Sequence, residues 1–176
     1  MSSATVRGAA VVAVAIVAAG CGGGGSRAFT LSDAKRIAGV RPAAPGWTWP
    51  STTAESKVHS STALSEWEDD DKLAHVDVEL YGSASAAHRA MAQFNARSRR
   101  YARQGGYILG EEGVSDLGDD AWRLRIGGHG PEVTYHWRRR NLVLEAHMHC
   151  FGACPADFAA AARAWAEVID AQARRE

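Results

Sequence analysis

The chain has 176 residues, 46% of them hydrophobic, and its 20 basic and 20 acidic side chains balance to a formal net charge of +0. That balance removes the electrostatic case for a nucleic-acid partner, and no apolar run reaches the ~20 residues a spanning helix needs. The length suits one domain with a real core and is short for two.

The chain opens with a single basic side chain at Arg7, an apolar stretch from Ala9 to Ala19, and small residues up to Cys21. This is the three-part layout of a secretory signal. Gly22 to Ser26 then form a glycine-rich leash with no amphipathic continuation. Ala18-Ala19-Gly20-Cys21 resembles the lipobox of bacterial lipoproteins, with Ala18 where leucine is more usual. The resemblance implies cleavage before Cys21, a diacylglyceryl group on its sulfur and acylation of the new amino terminus. One acyl chain holds a membrane marginally, whereas two or three hold it stably. Residues 1–20 are then a lipoprotein signal peptide, 21–30 the lipidated cysteine and tether, and 31–176 one extracytoplasmic domain. The expected location is the cell membrane, anchored by lipid on its extracytoplasmic face.

Past the leash, Ser32 caps and Asp33 charges the first turn of a short helix that Pro42 stops. A Pro/Gly/Trp connector follows, in which Trp47 and Trp49 read as a clamp holding a loop to the domain. Residues 60–68 and 72–82 read as two strands around the acidic turn Asp69 to Asp71. In the second, Val76, Val78 and Leu80 face one way and His75, Asp77 and Glu79 the other. The acidic turn lacks the glycine and distal glutamate of a calcium loop and reads as a solvated hairpin.

A long helix starts at Ser83, carries Ala87, Ala90, Met91, Phe94 and Tyr101 on its apolar side, and ends at Gly105 and Gly106. A strand and turn (107–120), a strand with Trp122, Leu124 and Ile126 inward, and a hairpin over 133–150 come next. In the hairpin Val133, Tyr135 and Trp137 share a face, as do Leu142, Leu144, Ala146 and Met148. Pro155 then opens a final helix with Cys154 at its cap and Phe158, Ala161, Ala162, Trp165, Val168 and Ile169 as its stripe. Hairpins with helices between them predict an α+β single domain, an antiparallel sheet with helices packed on one face. Residues 74–173, from the Gly118-Asp119-Asp120-Ala121 turn to the alanine-rich closing helix, resemble actinobacterial lipoproteins and extracellular sensor-like domains, some of them PsbP-like sandwiches. That resemblance implies a fold and no catalytic residues.

The stretch HMHCFGAC, residues 147–154, carries the densest chemistry. In an oxidising compartment Cys150 and Cys154 pair as a disulfide once Cys21 is lipidated. A redox pair is the other reading, weakened by three intervening residues rather than two. Alternation puts Glu145, His147 and His149 on one face with His136 on the partner strand. A two-residue Arg140-Asn141 turn sets His136 across from Glu145, and a four-residue turn sets it diagonally. Imidazoles and a carboxylate so grouped suit zinc or copper, although a solvated sheet face also collects polar residues. His75, Asp77 and Glu79 line another polar face that can join them.

No G-x-S-x-G, H-E-x-x-H or Walker pattern occurs, so no reaction class is indicated. The expected function is a non-catalytic binding or accessory domain of the cell envelope, without cofactor, serving a small ligand or an envelope protein. The alternative is a periplasmic metal-binding or metal-dependent protein using His136, Glu145, His147 and His149.

Overall fold

Thr30 opens the first helix, α1 (Leu31–Ala38), through a reciprocal capping box. Its hydroxyl accepts from the Asp33 N–H at 3.3 Å, and Asp33 accepts from the Thr30 N–H at 2.7 Å. The cap is therefore Thr30 and not the expected Ser32, because an acidic residue three positions on is what closes the box. Burial alone would raise the Asp33 carboxyl, but hydrogen bonds from the Thr30 backbone and from Arg27 hold it at about 2. The computed structural model describes residues 27–42, 52–56, 61–69, 71–152 and 154–176. The signal and lipobox with Cys21, and the connector with Trp47 and Trp49, lie outside the described residues.

Among the described residues seven strands form one antiparallel sheet: β1 (Thr52–Ser56), β2 (Ser61–Asp69), β3 (Lys72–Leu80), β4 (Tyr107–Gly113), β5 (Asp120–Gly127), β6 (Glu132–Arg139) and β7 (Leu142–Cys150). Their order is β1-β2-β3-β7-β6-β5-β4. Two meanders thus meet at the central β3–β7 pair. The chain leaves β3 mid-sheet and re-enters at β4 on the far edge, four strand spacings or about 19 Å away. Helix α2 (Ala84–Gly105), capped by Ser83, makes that crossing.

The expected α+β class, a single domain on an antiparallel sheet, is what the chain adopts, and the expected packing of helices on one face holds for two of the three helices among the described residues. Helices α1 and α3 (Phe158–Arg175) share one face and bury the main core there. Even-numbered residues of β3 and β7 and odd-numbered ones of β6 point into it, among them Val76, Val78, Tyr135, Trp137, Leu142 and Leu144. Trp67 and Trp165 meet edge to face at 5.6 Å, a geometry that adds about 1 kcal/mol to their burial. Arg139 clamps the buried Asp170 of α3 with two bonds of 2.8 and 2.9 Å. Helix α2 lies on the opposite face, where Ala87, Met91 and Phe94 pack on Val143, and Ala102 on Trp122, Leu124 and Ile126. Periodicity shows that a helix has an apolar side; it does not show which sheet face receives it.

The β6–β7 hairpin takes the two-residue turn, with Arg139 opposite Leu142 and Arg140 at φ 53°, the left-handed backbone such turns require. Asn141 is buried behind it. Its amide donates to the carbonyls of Phe29 and Tyr81 and accepts from the Phe29 N–H at 2.8 Å. The hairpin turn thereby pins the end of the amino-terminal segment to the middle of the sheet.

Cys150 and Cys154 are joined as a disulfide, with Cα atoms 5.9 Å apart. The small ring holds residue 154 back at the strand end, so α3 starts at Phe158, with Asp157 as its cap, and not at Pro155. Val168, assigned to the buried stripe, is 49% exposed. Closing a five-residue ring stabilises the fold by about 2 kcal/mol in the chain-entropy model. Cys154→Ser is expected to lower unfolding free energy by about that amount in urea titrations, and reductant should erase the difference between the two proteins.

Candidate functional site

Antiparallel registers carry three rows of side chains across the face beneath α2. The middle row runs Glu66, His75, His147, Thr134 and Leu124 across β2, β3, β7, β6 and β5. One row over stand Asp77, Glu145, His136 and Trp122, and on the other side Leu73, His149, Glu132 and Ile126. Alternation along a strand puts polar residues on a face, and water normally covers them. Here α2 covers them instead, through Phe94 and the apolar residues of its first turns. Where the helix passes Arg97, Ser98 and Tyr101 a cavity of about 600 Å³ opens between it and the sheet, with Ser98 Oγ 3.4 Å from His136 Nε2 at its inner edge. Tyr101, expected on the buried side, is 67% exposed at this mouth, opposite Phe151 at 51%. Ala102 fills the apolar contact in its place.

Glu145 organises the floor. His75 Nε2 lies 2.6 Å from its Oε1 and His136 Nε2 2.7 Å from its Oε2. His136 is fully buried, stacked on Trp122 at 5.2 Å and met edge-on by Phe94 at 4.8 Å. His75 and His147, cross-strand neighbours, stack at 4.5 Å and 11°. Thr134 Oγ1 stands 3.1 Å from His147 Nδ1, with Glu132 Oε1 at 3.5 Å from the same atom.

These contacts sort the charges. Burial pushes the Glu145 carboxyl up, but bonds and charge from His136 and His75 hold it well below the usual carboxylate range. Burial pulls His75 down, yet Glu145 raises it above its ordinary 6.5. Burial and the charge on His75 push His147 down to about 3, so it stays neutral. Burial and the charge on Glu145 push Glu132 up to about 7. The floor therefore sets a charged His75–Glu145 pair beside a neutral His147.

No protein-family model matches this chain, and a search of curated proteins finds no match to it. The chemistry has to be read from the side chains. Of the four residues singled out as metal ligands, Glu145 and His147 lie in the tightest cluster, whose third member is His75; their donor atoms all lie within 4.8 Å of one another. His136 sits behind Glu145 and engages its far oxygen. His149 stands in the next row, its ring 6.3 Å from that of His147 and 4.2 Å from Phe151. Glu132, Thr134 and Glu66 are additions. Only the β3–β7 pairing brings His75 to His147, and no local sequence signal specifies that pairing.

Glu132 sets a pH dependence. Its folded value lies above its ordinary 4.5, so its contribution to stability is complete below 4.5 and is lost as pH rises through about 7. Glu132→Gln lacks that loss. Between pH 5 and pH 8, in chelator, the variant should gain on the wild type by an amount on the order of 2 kcal/mol, read from paired denaturation curves.

Proposed function

We propose that this protein is a lipid-anchored, extracytoplasmic binding domain of the cell envelope, of binding or accessory rather than catalytic type. The anchor reading rests on the lipobox-like Ala18-Ala19-Gly20-Cys21, and the Cys150–Cys154 disulfide suits an oxidising compartment. Among the described residues no helix is long and apolar enough to cross a membrane. On this reading the lipid on Cys21 provides the membrane attachment.

The observation that carries the binding reading is the cavity between α2 and the sheet. It falls in the size range of small-ligand pockets. Its polar groups converge at the floor on Glu145, His75 and His147, while Leu73, Ile126, Tyr101 and Phe151 supply apolar and aromatic wall. Arg97 at the rim is ion-paired with Glu79 at 3.5 Å and still two-thirds exposed. An apolar body with an anionic or hydrogen-bonding head matches this lining.

Two measurements test the proposal. Intact mass of the protein from its native membrane should show residues 1–20 removed, acyl chains added and a gain of about two daltons on reduction, from the two hydrogens of a cleaved disulfide. A full-length unlipidated product would refute the anchor. Anilinonaphthalenesulfonate, an aromatic anion, should bind the wild type, and Ser98→Trp, which fills the mouth, should weaken it roughly tenfold, or about 1.4 kcal/mol. Equal affinity for both proteins would remove the cavity as the binding site.

A further inference from the structure

We infer that His75, His147 and Glu145 form a site for a divalent late first-row transition ion, zinc or copper, at the floor of the cavity. The inference rests on reading that cavity as the binding site and names the ligand class for its deepest part.

The donor set selects the ion. Two imidazoles and one carboxylate suit zinc and copper, whereas calcium and magnesium take shells of oxygen ligands. The spacing is close to that of a loaded site. Bonds of about 2.0–2.1 Å set neighbouring donor atoms roughly 3.3 Å apart in a tetrahedral shell, so the widest separation, within 4.8 Å, closes by at most about 1.5 Å, while His75 Nε2 and Glu145 Oε1, at 2.6 Å, move slightly apart as the ion enters between them. Side-chain torsions supply such a movement while the strands stay fixed. His75 and His147 are directly paired across β3 and β7, and Glu145 is two residues before His147 on the same face.

An outer ring of partners is already built, which a chance meeting of polar residues lacks. Ligating carboxylates and imidazoles are held from behind by hydrogen bonds that fix their orientation. His136 engages the far oxygen of Glu145 at 2.7 Å, and Thr134 engages Nδ1 of His147 at 3.1 Å. Both outer partners come from β6, which binds β7 in register. The cavity leaves the opposite side of the cluster open, so a further coordination position faces the cavity. Loading displaces the proton between His75 Nε2 and Glu145 Oε1 to solvent and tilts the two rings out of their parallel stack. His149, one row away, is outside the set.

Calorimetric titration of the protein purified from its native membrane in detergent, stripped with chelator and then dialysed free of it, tests this with Zn(II), Cu(II), Ca(II) and Mg(II) alone. One equivalent of Zn(II) or Cu(II) should bind with a Kd of about 10 µM or tighter, and Ca(II) and Mg(II) should not. His75→Gln and His147→Gln should each weaken uptake at least roughly tenfold, while His88→Gln, an exposed histidine bonded to Asp120, should leave it unchanged. Ring-nitrogen resonances of His75 and His147 should move on adding Zn(II) to the wild type, a readout that does not depend on any variant folding. The inference is overturned if no equivalent binds below about 100 µM, or if both histidine variants bind as the wild type does. Anilinonaphthalenesulfonate separates the two readings. Dye that binds the wild type and is weakened in Ser98→Trp, with no metal uptake by either protein, leaves the cavity standing and removes the metal; a wild type that binds neither dye nor metal removes both.

Discussion

A carboxylate placed beneath a helix must have its partners in position before the helix can close over it, because an unpaired buried charge costs several kcal/mol. Glu145 meets that condition from two sides, with His75 on β3 and His136 on β6. The two histidines belong to different meanders, and β7 between them supplies the glutamate. One side chain thus ties the two halves of the sheet together on the face where the apolar core does not reach. The opposite face is filled mainly by packing of Trp67, Tyr135, Trp137 and Trp165, with the Arg139–Asp170 pair joining β6 to α3.

The same constraint explains why the polar face has a cavity. Helix α2 must run from the sheet centre to its β4 edge, and its apolar residues seal two separate patches, one at Val143 and one at Trp122, Leu124 and Ile126. Beside these patches the cavity is lined by Glu66, His75 and His147, polar groups against which an apolar helix side does not pack well. The helix presents Arg97, Ser98 and Tyr101 there instead. The disulfide at the end of β7 packs into the main core, while Phe151 beside Cys150 turns to the rim of the cavity, its N–H bonded to the Asp71 carbonyl at 2.7 Å. Gly130 makes room for this strand end, since a Cβ there would lie 1.9 Å from the Cys150 carbonyl oxygen and its φ is 125°.

Much of this was legible locally. Alternation in residues 142–150 separated core from polar side chains, Ser83 marked the start of α2, and the even cysteine count left by Cys21, with the compartment the lipobox resemblance implies, anticipated the Cys150–Cys154 bond. The hairpin left two registers open, and backbone geometry at Arg140 decides for the one that sets His136 opposite Glu145. What escaped the sequence was long-range. Strand β1 carries no apolar alternation in Thr52–Ser56 and follows a Pro/Gly/Trp stretch, so it read as connector. The pairing of β3 with β7 joins residues about 70 positions apart, which is why His75 appeared only as a neighbour that can join the cluster. Tyr101 fits the apolar side of α2 by period alone, yet it falls at the mouth of the cavity.

The central claim is that Glu145 holds the His75 ring charged, while burial and that charge keep the stacked His147 ring neutral. Ring-nitrogen NMR of the chelator-treated protein, followed from pH 8 to pH 4, reads those states directly. The account predicts that His75 holds its proton above its ordinary 6.5, while His147 remains neutral throughout the range, its value lying near 3. Both rings titrating together close to 6.5 would contradict it, and would mean that the face beneath α2 is open to water.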